Sequence, residues 1–577
     1  MRRVRARPLA VASAALAAGA AIAIAANCSR EPPRRPNVVL ISLDSLRPDH
    51  LGCYGYRSRT GAPTSPRLDR FAGEGVLFER AVSTTSWTMP AHHALFAGLP
   101  DLAHGAVADE NGPTPRRVQL AQVLSDAGFA TAGFFSGPYL DPRYGFGGGF
   151  DVYENASGVE EAAPEVPPDA PPASGRDGRD GEGAGEPRDA VSRSVAQLEA
   201  SYHRASSARR VSDRGLKWLD ERRRADADQP FFLFLHYFDV HYDYAPPEEG
   251  YARRFWPGGR RPRLDGDDFF ENPEIRAGMD PADLEGVVSY YDGEILWTDE
   301  QVGRVLDRLD ALDLADDTLV VVVSDHGDEF FEHGAKGHRQ NLFGTTLDIA
   351  LILRLPGRLR AGRRVEQRVS IVDVAPTVLD LAGALARADF HAPEAVALDP
   401  SLLVHGMWGR TLVPMIEGRE REDRDCLGFL ANRWQDREHP VDTWALWSGA
   451  MKVVVSQRYE RVREADGEPG RLRPVERAGQ VFDLARDPGE MADLAAGGDR
   501  AAEAAIARFD DTFSAEGALF RLVSQLPAGA PPAPLTPAQA SRLAELGYAA
   551  PAAAAPLPPG TRLWQLLPPP PRFPRGR

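Results

Sequence analysis

The chain has 577 residues and a formal net charge of −16, with 43% hydrophobic and 26% charged residues. These proportions are ordinary for a globular protein, and the length suits one large domain with a smaller one beside it. The acidic balance excludes a general nucleic-acid-binding role, which needs a basic surface. The three cysteines, Cys28, Cys53 and Cys426, do not indicate a disulfide framework.

The N-terminal segment has the layout of an export signal. Four arginines lie within residues 1–8, an apolar, alanine-rich stretch covers residues 9–26, and Ala-Ala-Asn-Cys, ending at Cys28, resembles a bacterial lipobox. We interpret residues 1–27 as a signal peptide or N-terminal membrane anchor and residues 28–36 as a polar spacer. The expected location is the periplasm or cell envelope. A lipid anchor at Cys28 and a membrane anchor formed by residues 9–26 are the two alternatives for membrane association.

The first predicted strand ends in a carboxylate. Residues 37–43 are mainly apolar, which predicts a buried strand, and Asp44 and Ser45 follow it. In an open α/β sheet, the chemistry takes place at the carboxyl ends of the strands. Asp44 is therefore a candidate metal ligand, although aspartate also follows strands simply because it suits turns.

A helix is predicted to begin near Thr88. Pro90 suits the first turn of a helix and Gly98 suits its C-terminal end. Backbone N–H groups and the helix dipole attract anions at a helix N-terminus. The hydroxyl of Thr88 is therefore either a helix cap, which is the commoner role, or a nucleophile in an anion-binding site.

The middle of the chain contains an insertion and a second strand that ends in polar residues. Residues 156–192 are rich in Pro, Gly, Ala, Asp and Glu, which predicts a disordered surface insertion. A helix and a buried strand are predicted between residues 208 and 235, before His236, Asp239 and His241. Further on, Glu294 and Asp299 lie on a predicted amphipathic helix, and their carboxylates are expected on its solvated face.

The strand with the clearest functional signal precedes Asp325 and His326. Residues 319–323 are apolar and mostly β-branched, so they predict a buried strand with a carboxylate and an imidazole at its carboxyl end. Asp44 and Asp325 thus follow two strands that are far apart in the chain, an arrangement that can assemble one metal site from distant segments. Further polar residues follow closely, namely Asp328, Glu329, His333, Lys336 and His338.

The C-terminal part predicts a smaller sheet and a tail. Strand-like segments that suggest a small antiparallel sheet lie at residues 426–430, 443–448 and 451–456. Residues 527–577 are rich in Pro and Ala and are expected to be largely extended. We therefore divide the chain into a main domain (37–424), a C-terminal subdomain (425–526) and this tail.

Ordered sequence blocks connect these segments to a known family. The blocks are residues 37–52, 64–69, 88–92, 231–241, 324–338, 373–377 and 482–490. Taken in this order, they resemble the sulfatase family of the alkaline phosphatase superfamily. The resemblance implies an α/β fold: an alkaline-phosphatase-like sandwich with a large mixed sheet flanked by helices and a small C-terminal antiparallel-sheet subdomain. It also implies a metal-dependent hydrolase of sulfate- or phosphate-type esters, with residues 37–424 as the catalytic domain.

The resemblance assigns roles to individual residues. The expected catalytic residues are Thr88, His241 and His338, and the expected ligands of a divalent metal are Asp44, Ser45, Thr88, Asp325 and His326. The substrate-binding candidates are His92, Lys336, His333 and Asp239. Because His326 contributes a nitrogen, zinc or manganese is favoured over calcium, which prefers all-oxygen shells.

Several departures from the family pattern shape the functional expectation. Family sulfatases carry Cys or Ser, oxidised to formylglycine, in the pattern C/S-x-P-x-R, whereas this chain has Thr88-x-Pro90-x-His92. Ser45 stands where the family has a second aspartate, and His338 stands where it has a lysine. An unmodified threonine resembles the phosphoryl-transferring members of the superfamily.

The chemistry of threonine agrees with this last resemblance. A formylglycine hydrate releases sulfate by collapsing to the aldehyde, but a threonine ester must be cleaved by a second nucleophile. That step suits phosphoryl transfer, in which charge and positioning carry most of the catalysis. Hydrolysis of a phosphoester, phosphodiester or phosphonate monoester is therefore favoured over sulfate ester hydrolysis. The expected substrate is a small-molecule, lipid or glycan ester.

Three alternatives stay open. The chain could be a sulfatase proper that tolerates Thr88, or a transferase that passes a phosphoryl-alcohol group to a lipid or glycan. It could also be a pseudoenzyme that binds anionic glycans. The substitution Thr88→Ala separates the enzymes from the pseudoenzyme, because it should abolish turnover but leave glycan binding largely intact.

Overall fold

The computed structural model describes a defined part of the chain. The described residues are 34–107, 119–157, 207–225, 228–270, 272–385, 408–432, 439–462, 472–495 and 497–514. The N-terminal segment 1–27, most of the spacer, nearly all of the insertion 156–192 and the tail 527–577 lie outside them. Contacts separate Met1–Pro36 from Asn37–Arg577, and the fold below is that of the second unit. In the part of the chain described here, no helix is both long enough and apolar enough to cross a membrane.

The strands and helices alternate along the main domain. The strands are β1 (Asn37–Leu43), β2 (Val76–Val82), β3 (Ala130–Phe135), β4 (Val152–Asn155), β5 (Phe231–Tyr237), β6 (Thr318–Ser324), β7 (Glu329–Phe330), β8 (Lys336–Gly337), β9 (Asp348–Ile349), β10 (Leu351–Arg354), β11 (Arg363–Ser370), β12 (Cys426–Asn432), β13 (Val441–Ser448), β14 (Met451–Arg461) and β15 (Leu472–Asp483). The α-helices are α1 (Pro66–Glu74), α2 (Thr88–Ala97), α3 (Asp101–His104), α4 (Leu120–Asp126), α5 (Ser207–Ala225), α6 (Glu249–Arg253), α7 (Pro281–Ala311), α8 (Gly344–Leu347), α9 (Val374–Leu381), α10 (Val413–Ile416) and α11 (Arg500–Thr512). Short 3-10 turns occur at Pro48–His50, Gly52–Tyr54, Pro138–Leu140, Pro142–Tyr144, Pro257–Gly259, Ala315–Asp317 and Ile371–Asp373.

The large sheet is mixed but has one dominant direction. Its strand order is β11-β2-β10-β6-β1-β5-β3-β4, and β9 pairs with β2. The neighbouring pairs are parallel except where β10 meets β2 and β6, and β9 also runs antiparallel to β2. In the centre, Leu43 of β1 lies opposite Ser324 of β6 and Tyr237 of β5. The carboxyl ends of these three strands therefore meet at one edge of the sheet, and the residues that follow them are brought together.

Apolar residues cover both faces of the sheet, which explains why its central strands read as continuous apolar runs. Alternate residues of β1 point to opposite faces, so Val38 belongs to one core layer and Val39 to the other. The first layer packs against helices α2, α4 and α9, and the second packs against α1, α5 and α7. The predicted α/β architecture, with a large mixed sheet flanked by helices, is thereby confirmed.

A second, smaller sheet follows the large one in the chain. Strands β12 to β15 form an antiparallel sheet in sequence order. Its apolar face, including Trp444 and Val453, packs against Phe509 of α11 and against Leu102 of α3. The predicted small antiparallel sheet is confirmed, and it includes β15, which the sequence did not predict. The boundary at residue 425 between the two domains stays a prediction.

The carboxylates of the long helix α7 correct one expectation. Glu294 and Asp299 were predicted on a solvated face, but both are buried, and that prediction was wrong. The helix is covered on several sides because it packs against α1, α5 and α6. Asp299 accepts hydrogen bonds from the backbone N–H groups of Arg67 and Leu68, at 2.9 and 2.8 Å, in the first turn of α1. It therefore caps a neighbouring helix instead of facing water.

Candidate active site

The ends of β1 and β6 form the floor of the site. The backbone N–H of Ser45 donates to Oδ1 of Asp325 at 3.1 Å, which ties the two strand ends together. Nε2 of His326 lies 3.7 Å from Oδ1 of Asp44 and 3.4 Å from Oδ2 of Asp325. All four residues are fully buried. Ser45 has a left-handed backbone with φ of 55°, so the chain turns sharply directly after the carboxylate of Asp44.

The N-terminus of helix α2 adds the hydroxyl of Thr88. Trp87 before it is extended, the helix starts at Thr88, and Gly98 ends it in a left-handed conformation, as the sequence predicted. The Thr88 hydroxyl oxygen lies 3.2 Å from Nε2 of His326 and 3.4 Å from Oδ2 of Asp44. A threonine hydroxyl, two carboxylates and an imidazole therefore meet at a helix N-terminus, where backbone N–H groups favour an anion.

His92 lies behind this cluster, one helical turn beyond Thr88. Its Nδ1 donates to the carbonyl oxygen of Thr88 at 2.8 Å, because a carbonyl can only accept. Burial lowers the pKa of His92 to about 3, so the ring is neutral and Nε2 accepts from the hydroxyl of Ser42 at 2.8 Å. Nδ1 also lies 3.5 Å from Oδ2 of Asp325. Both ring nitrogens are thus engaged in the interior, which places His92 as a support of Thr88 and Asp325.

His236, at the end of β5, supports the other carboxylate. Its Nε2 lies 3.3 Å from Oδ2 of Asp44, and its ring meets that of His92 edge to face at 4.9 Å. Burial lowers the pKa of His236 to about 4, so it is neutral as well. Each buried carboxylate of the site therefore has a neutral imidazole behind it.

The buried carboxylates at the ends of β1 and β6 favour the binding of a cation between them. Burial raises the pKa of Asp44 to about 7, and burial together with the nearby charge of Asp44 raises the pKa of Asp325 to about 7. Oδ2 of Asp325 accepts no hydrogen bond from the residues that the structure describes. Asp44, Asp325 and His326 each offer a ligand atom within 4.8 Å of the others. Two desolvated carboxylates that need a positive charge, with an imidazole beside them, fit a divalent metal ion.

A second group of polar residues adjoins the floor. Nδ1 of His338 bonds to Oδ1 of Asp328 at 2.6 Å, and the hydroxyl of Tyr244 donates to Oδ2 of Asp328 at 2.7 Å. The ring of His338 lies 4.4 Å from that of His326 and 4.7 Å from that of His241. Burial, followed by nearby positive charge, holds the pKa of His338 well below its usual range. The structure thus brings both predicted catalytic histidines to the cluster around Thr88.

The remaining substrate-binding candidates make other contacts. The ammonium of Lys336 donates to the carbonyl oxygens of Phe269, Phe270 and Ile275, at 2.7, 3.1 and 2.8 Å, and so holds the loop that contains them. The ring of His333 stacks on Phe343. The carboxylate of Asp239 accepts hydrogen bonds from Ser207 and Trp297. These contacts do not bring Lys336, His333 or Asp239 to the cluster.

Ser42 is one of the site residues that the sequence did not reveal. It is a fully buried polar residue in an apolar strand, and its hydroxyl fixes His92. The signal was present, since a serine within a run of Val, Leu and Ile on a strand buried on both faces needs a hydrogen-bond partner.

A threonine hydroxyl at a helix N-terminus, beside two carboxylates and an imidazole at the edge of a mixed sheet, fits the ester hydrolases of the alkaline phosphatase superfamily. Within that class, the model of the sulfatase family matches residues 36–384. The chain belongs to the sulfatase family, whose enzymes hydrolyse esters and use a divalent metal.

Similar proteins of known sequence or structure agree with this assignment. The uncharacterized sulfatase YidJ of Escherichia coli (strain K12) is 26% identical over 385 residues, covering 63% of this chain and 69% of that protein. The multifunctional alkaline phosphatase superfamily protein PehA of Trinickia caryophylli is 25% identical over 529 residues, covering 80% and 91%. The crystal structure of the phosphonate monoester hydrolase of Agrobacterium radiobacter matches with a TM-score of 0.52 at 24% identity, covering 81% of this chain and 93% of that one.

Proposed function

We propose that the chain hydrolyses phosphoesters, phosphodiesters or phosphonate monoesters, with the hydroxyl of Thr88 as the nucleophile. The observation that carries this proposal is the unmodified threonine, whose hydroxyl oxygen lies 3.2 Å from Nε2 of His326. A threonine cannot supply the aldehyde hydrate by which family sulfatases release sulfate. Its ester must be cleaved by an external nucleophile, a step that phosphoryl chemistry allows readily.

The reaction proceeds in two displacements at Thr88. In the first, the bond from its hydroxyl oxygen to phosphorus forms while the bond from phosphorus to the leaving alcohol oxygen breaks. The proton lost by the threonine passes, in net terms, to the leaving alkoxide. In the second, water attacks phosphorus, and the hydroxyl of Thr88 is restored with one of the water's protons.

The side chains around Thr88 have separate tasks. His92 fixes the first turn of α2, and with it the direction of the hydroxyl. His338, held by Asp328, and His241 beside it are placed to bind the anionic oxygens of the ester or to carry a proton. The N–H groups at the start of α2 add neutral donors to the same region.

Asp44, Asp325 and His326 would hold the metal ion, and Thr88 and Ser45 lie beside them. When bound, a divalent cation supplies positive charge that polarises the ester and favours the ionised threonine. We propose zinc or manganese, because the donor set includes an imidazole and calcium prefers oxygen ligands alone.

A sulfatase proper is the second candidate, because YidJ is named a sulfatase and is 26% identical to this chain. Both candidates accept a small-molecule, lipid or glycan ester. They differ in whether Thr88 can turn over a sulfate ester, for which the second displacement is the demanding step.

The test compares 4-nitrophenyl sulfate, phosphate, bis-phosphodiester and phenylphosphonate with zinc, manganese or calcium added. We expect diester or phosphonate turnover that Thr88→Ala abolishes and Thr88→Ser partly retains. The matched control is Thr443→Ala, which removes the same atoms from the smaller sheet. Turnover of the sulfate ester alone would replace the proposal by the sulfatase candidate. Absence of turnover with all four substrates would favour a transferase that needs a specific acceptor, or a pseudoenzyme that binds anionic glycans.

A further inference from the structure

We propose that Glu490, in the loop after β15, is a positioning residue for the metal site at the end of β6. Its carboxylate connects the smaller sheet to the segment of residues 327–347, which directly follows His326 and contains His338. The inference deepens the proposed function and rests on the metal site assigned there. It makes the smaller sheet a functional part of that site.

Each oxygen of the Glu490 carboxylate has its own partner. Oε1 accepts from the ammonium of Lys452, on β14, at 2.5 Å, and Oε2 accepts from the backbone N–H of Gly344 at 2.8 Å. Lys452 is fully buried and Glu490 nearly so, and the ammonium lies 4.6 Å from the ring centre of Trp447. A charge-assisted hydrogen bond is short and strong, so the ammonium fixes the carboxylate that receives the Gly344 N–H.

The short helix α8 connects this contact to the metal site. Gly344 begins α8, and the carbonyl oxygen of Thr346 in the same helix accepts from the N–H of Gly327 at 2.9 Å. The carbonyl of Thr345 packs so closely on Gly327 that a Cβ there would lie 2.4 Å from its oxygen. Gly327 directly follows His326, so the position of α8 sets the position of the backbone at this ligand.

A second contact from the loop after β15 holds the middle of the segment. Nε2 of His333 donates to the carbonyl oxygen of Gly489 at 3.0 Å, because a carbonyl can only accept. The N–H of His333 donates to one oxygen of the Glu329 carboxylate, and the side chain of Asn341 donates to the other. The turn that contains His338 is thereby closed across its base. The loop after β15 therefore holds the segment both before and after His338.

Metal affinity responds to groups behind the ligands, because an ion binds well only when its ligand atoms lie within narrow limits of distance. Removing a hydrogen bond behind a ligand commonly lowers the affinity by about 10- to 100-fold. Glu490 acts on His326 through the backbone of α8 and not through a direct contact. We therefore expect its effect at the lower end of this range, about tenfold.

The experiment separates the acceptor oxygen of Glu490 from its charge. Two double variants both carry Lys452→Met, which removes the buried cation and keeps an apolar side chain beside Trp447. Adding Glu490→Gln leaves an oxygen that can accept from Gly344, whereas adding Glu490→Leu does not. Both double variants remove the ion pair whole, so neither leaves one of its two charges buried alone, which is the costly state of a broken pair.

Zinc is titrated calorimetrically into the chelator-treated full chain, so the measurement does not depend on turnover. We expect the double variant with Glu490→Gln to bind zinc nearly as tightly as the wild type. The double variant with Glu490→Leu should bind it about tenfold more weakly. Without metal, backbone hydrogen exchange between residues 327 and 347 should also be faster in the variant with Glu490→Leu than in the one with Glu490→Gln.

Arg424→Met is the matched control. Arg424 forms another buried ion pair, with Asp373 at 3.0 Å, and its guanidinium also donates to the carbonyl oxygens of Arg410 and Thr411, outside residues 327–347. Arg424→Met should lower the urea midpoint and leave the zinc affinity unchanged. Equal zinc affinities of the two double variants would overturn the inference. A loss of zinc affinity in Arg424→Met as large as that caused by Glu490→Leu would also overturn it, since zinc binding would then follow stability alone.

Turnover of the 4-nitrophenyl esters separates this inference from the proposed function. Gly489 still holds His333 in the double variant with Glu490→Leu, so saturating zinc should restore its kcat towards that of the wild type. A wild type that binds zinc but hydrolyses none of the esters would refute the proposed function, while the zinc affinities would still decide the role of Glu490. A wild type that binds no zinc would overturn the inference itself.

Discussion

The substitution His92→Phe tests the two hydrogen bonds by which the His92 ring connects Thr88 to Ser42. Phenylalanine keeps most of the volume of the imidazole, so a cavity contributes little, but both hydrogen bonds of the ring are lost. The hydroxyl of Ser42 is then buried without a partner, at a cost of about 1–3 kcal/mol. The carbonyl of Thr88 also belongs to the backbone of α2, so its lost bond costs only about 0.5–1.5 kcal/mol. The expected loss in the free energy of unfolding is therefore about 1.5–4.5 kcal/mol.

His93 provides the matched control. It is the next residue on the same helix, is also buried, and bonds through Nε2 to the carbonyl oxygen of Tyr144 at 3.0 Å. His93→Phe therefore removes one hydrogen bond at the same kind of position, and we expect it to cost about 0.5–1.5 kcal/mol. Urea denaturation of chelator-treated protein, followed by tryptophan fluorescence, measures both variants without a contribution from bound metal.

Adding Ser42→Ala to His92→Phe removes the unpartnered hydroxyl. The double variant should therefore regain about 1 kcal/mol or more of the free energy of unfolding that His92→Phe loses. In the wild-type background, Ser42→Ala should destabilise, because it deletes a partner of His92. A coupling between the two positions below about 0.5 kcal/mol would refute the hydrogen-bond network that we describe. Equal losses in the free energy of unfolding for His92→Phe and His93→Phe would refute it as well.

Lys336→Met should loosen the segment that contains Phe269, Phe270 and Ile275 and speed its cleavage by protease, because the three backbone carbonyls lose their donor. A higher KM with unchanged cleavage would instead favour the substrate-binding role. Burial raises the pKa of Asp101 to about 8, so the folded state keeps a proton that the unfolded state releases above about pH 4. Stability should therefore fall as pH rises from about 4 to 8. The urea midpoint of Asp101→Asn, measured relative to that of the wild type, should rise between pH 5 and pH 9. A difference between the two midpoints that does not change with pH would contradict this. In a bacterial host the full chain should fractionate with the cell envelope, and Cys28→Ala should remove any attached lipid without preventing export; recovery of both proteins in the cytosol would show that the export prediction is wrong.

The strands that carry the site could be predicted from the sequence because their signal is local. A strand buried on both faces is a continuous apolar run, and the polar residue after it is easily seen, as at Asp44 and Asp325. β15 gave no such signal. Among the described strands it pairs only with β14, at the edge of the smaller sheet, and most of its residues are partly or fully exposed. Its strand conformation depends on a neighbour that local sequence does not reveal.

Buried polar residues on helices were the harder case. The pattern of α7 showed one apolar face, but it could not show that α1 and α6 cover other parts of the helix, including Asp299. Similarly, the position of His92 in the family motif suggested contact with substrate. Only the packing of α2 against β1 shows that its ring points to Ser42. In both cases the deciding contact is made by a residue distant in sequence.

The central position of β1 has a consequence for biosynthesis. Its partners, β5 and β6, are made long after it, and the N–H of Ser45 bonds to a carboxylate 280 positions further along the chain. While the ribosome completes the intervening segments, β1 has no strand to pair with, and its apolar side chains need protection from aggregation. The proposed metal ligands come together only when β6 has docked beside β1, so uptake of an ion would report that these two strands have paired.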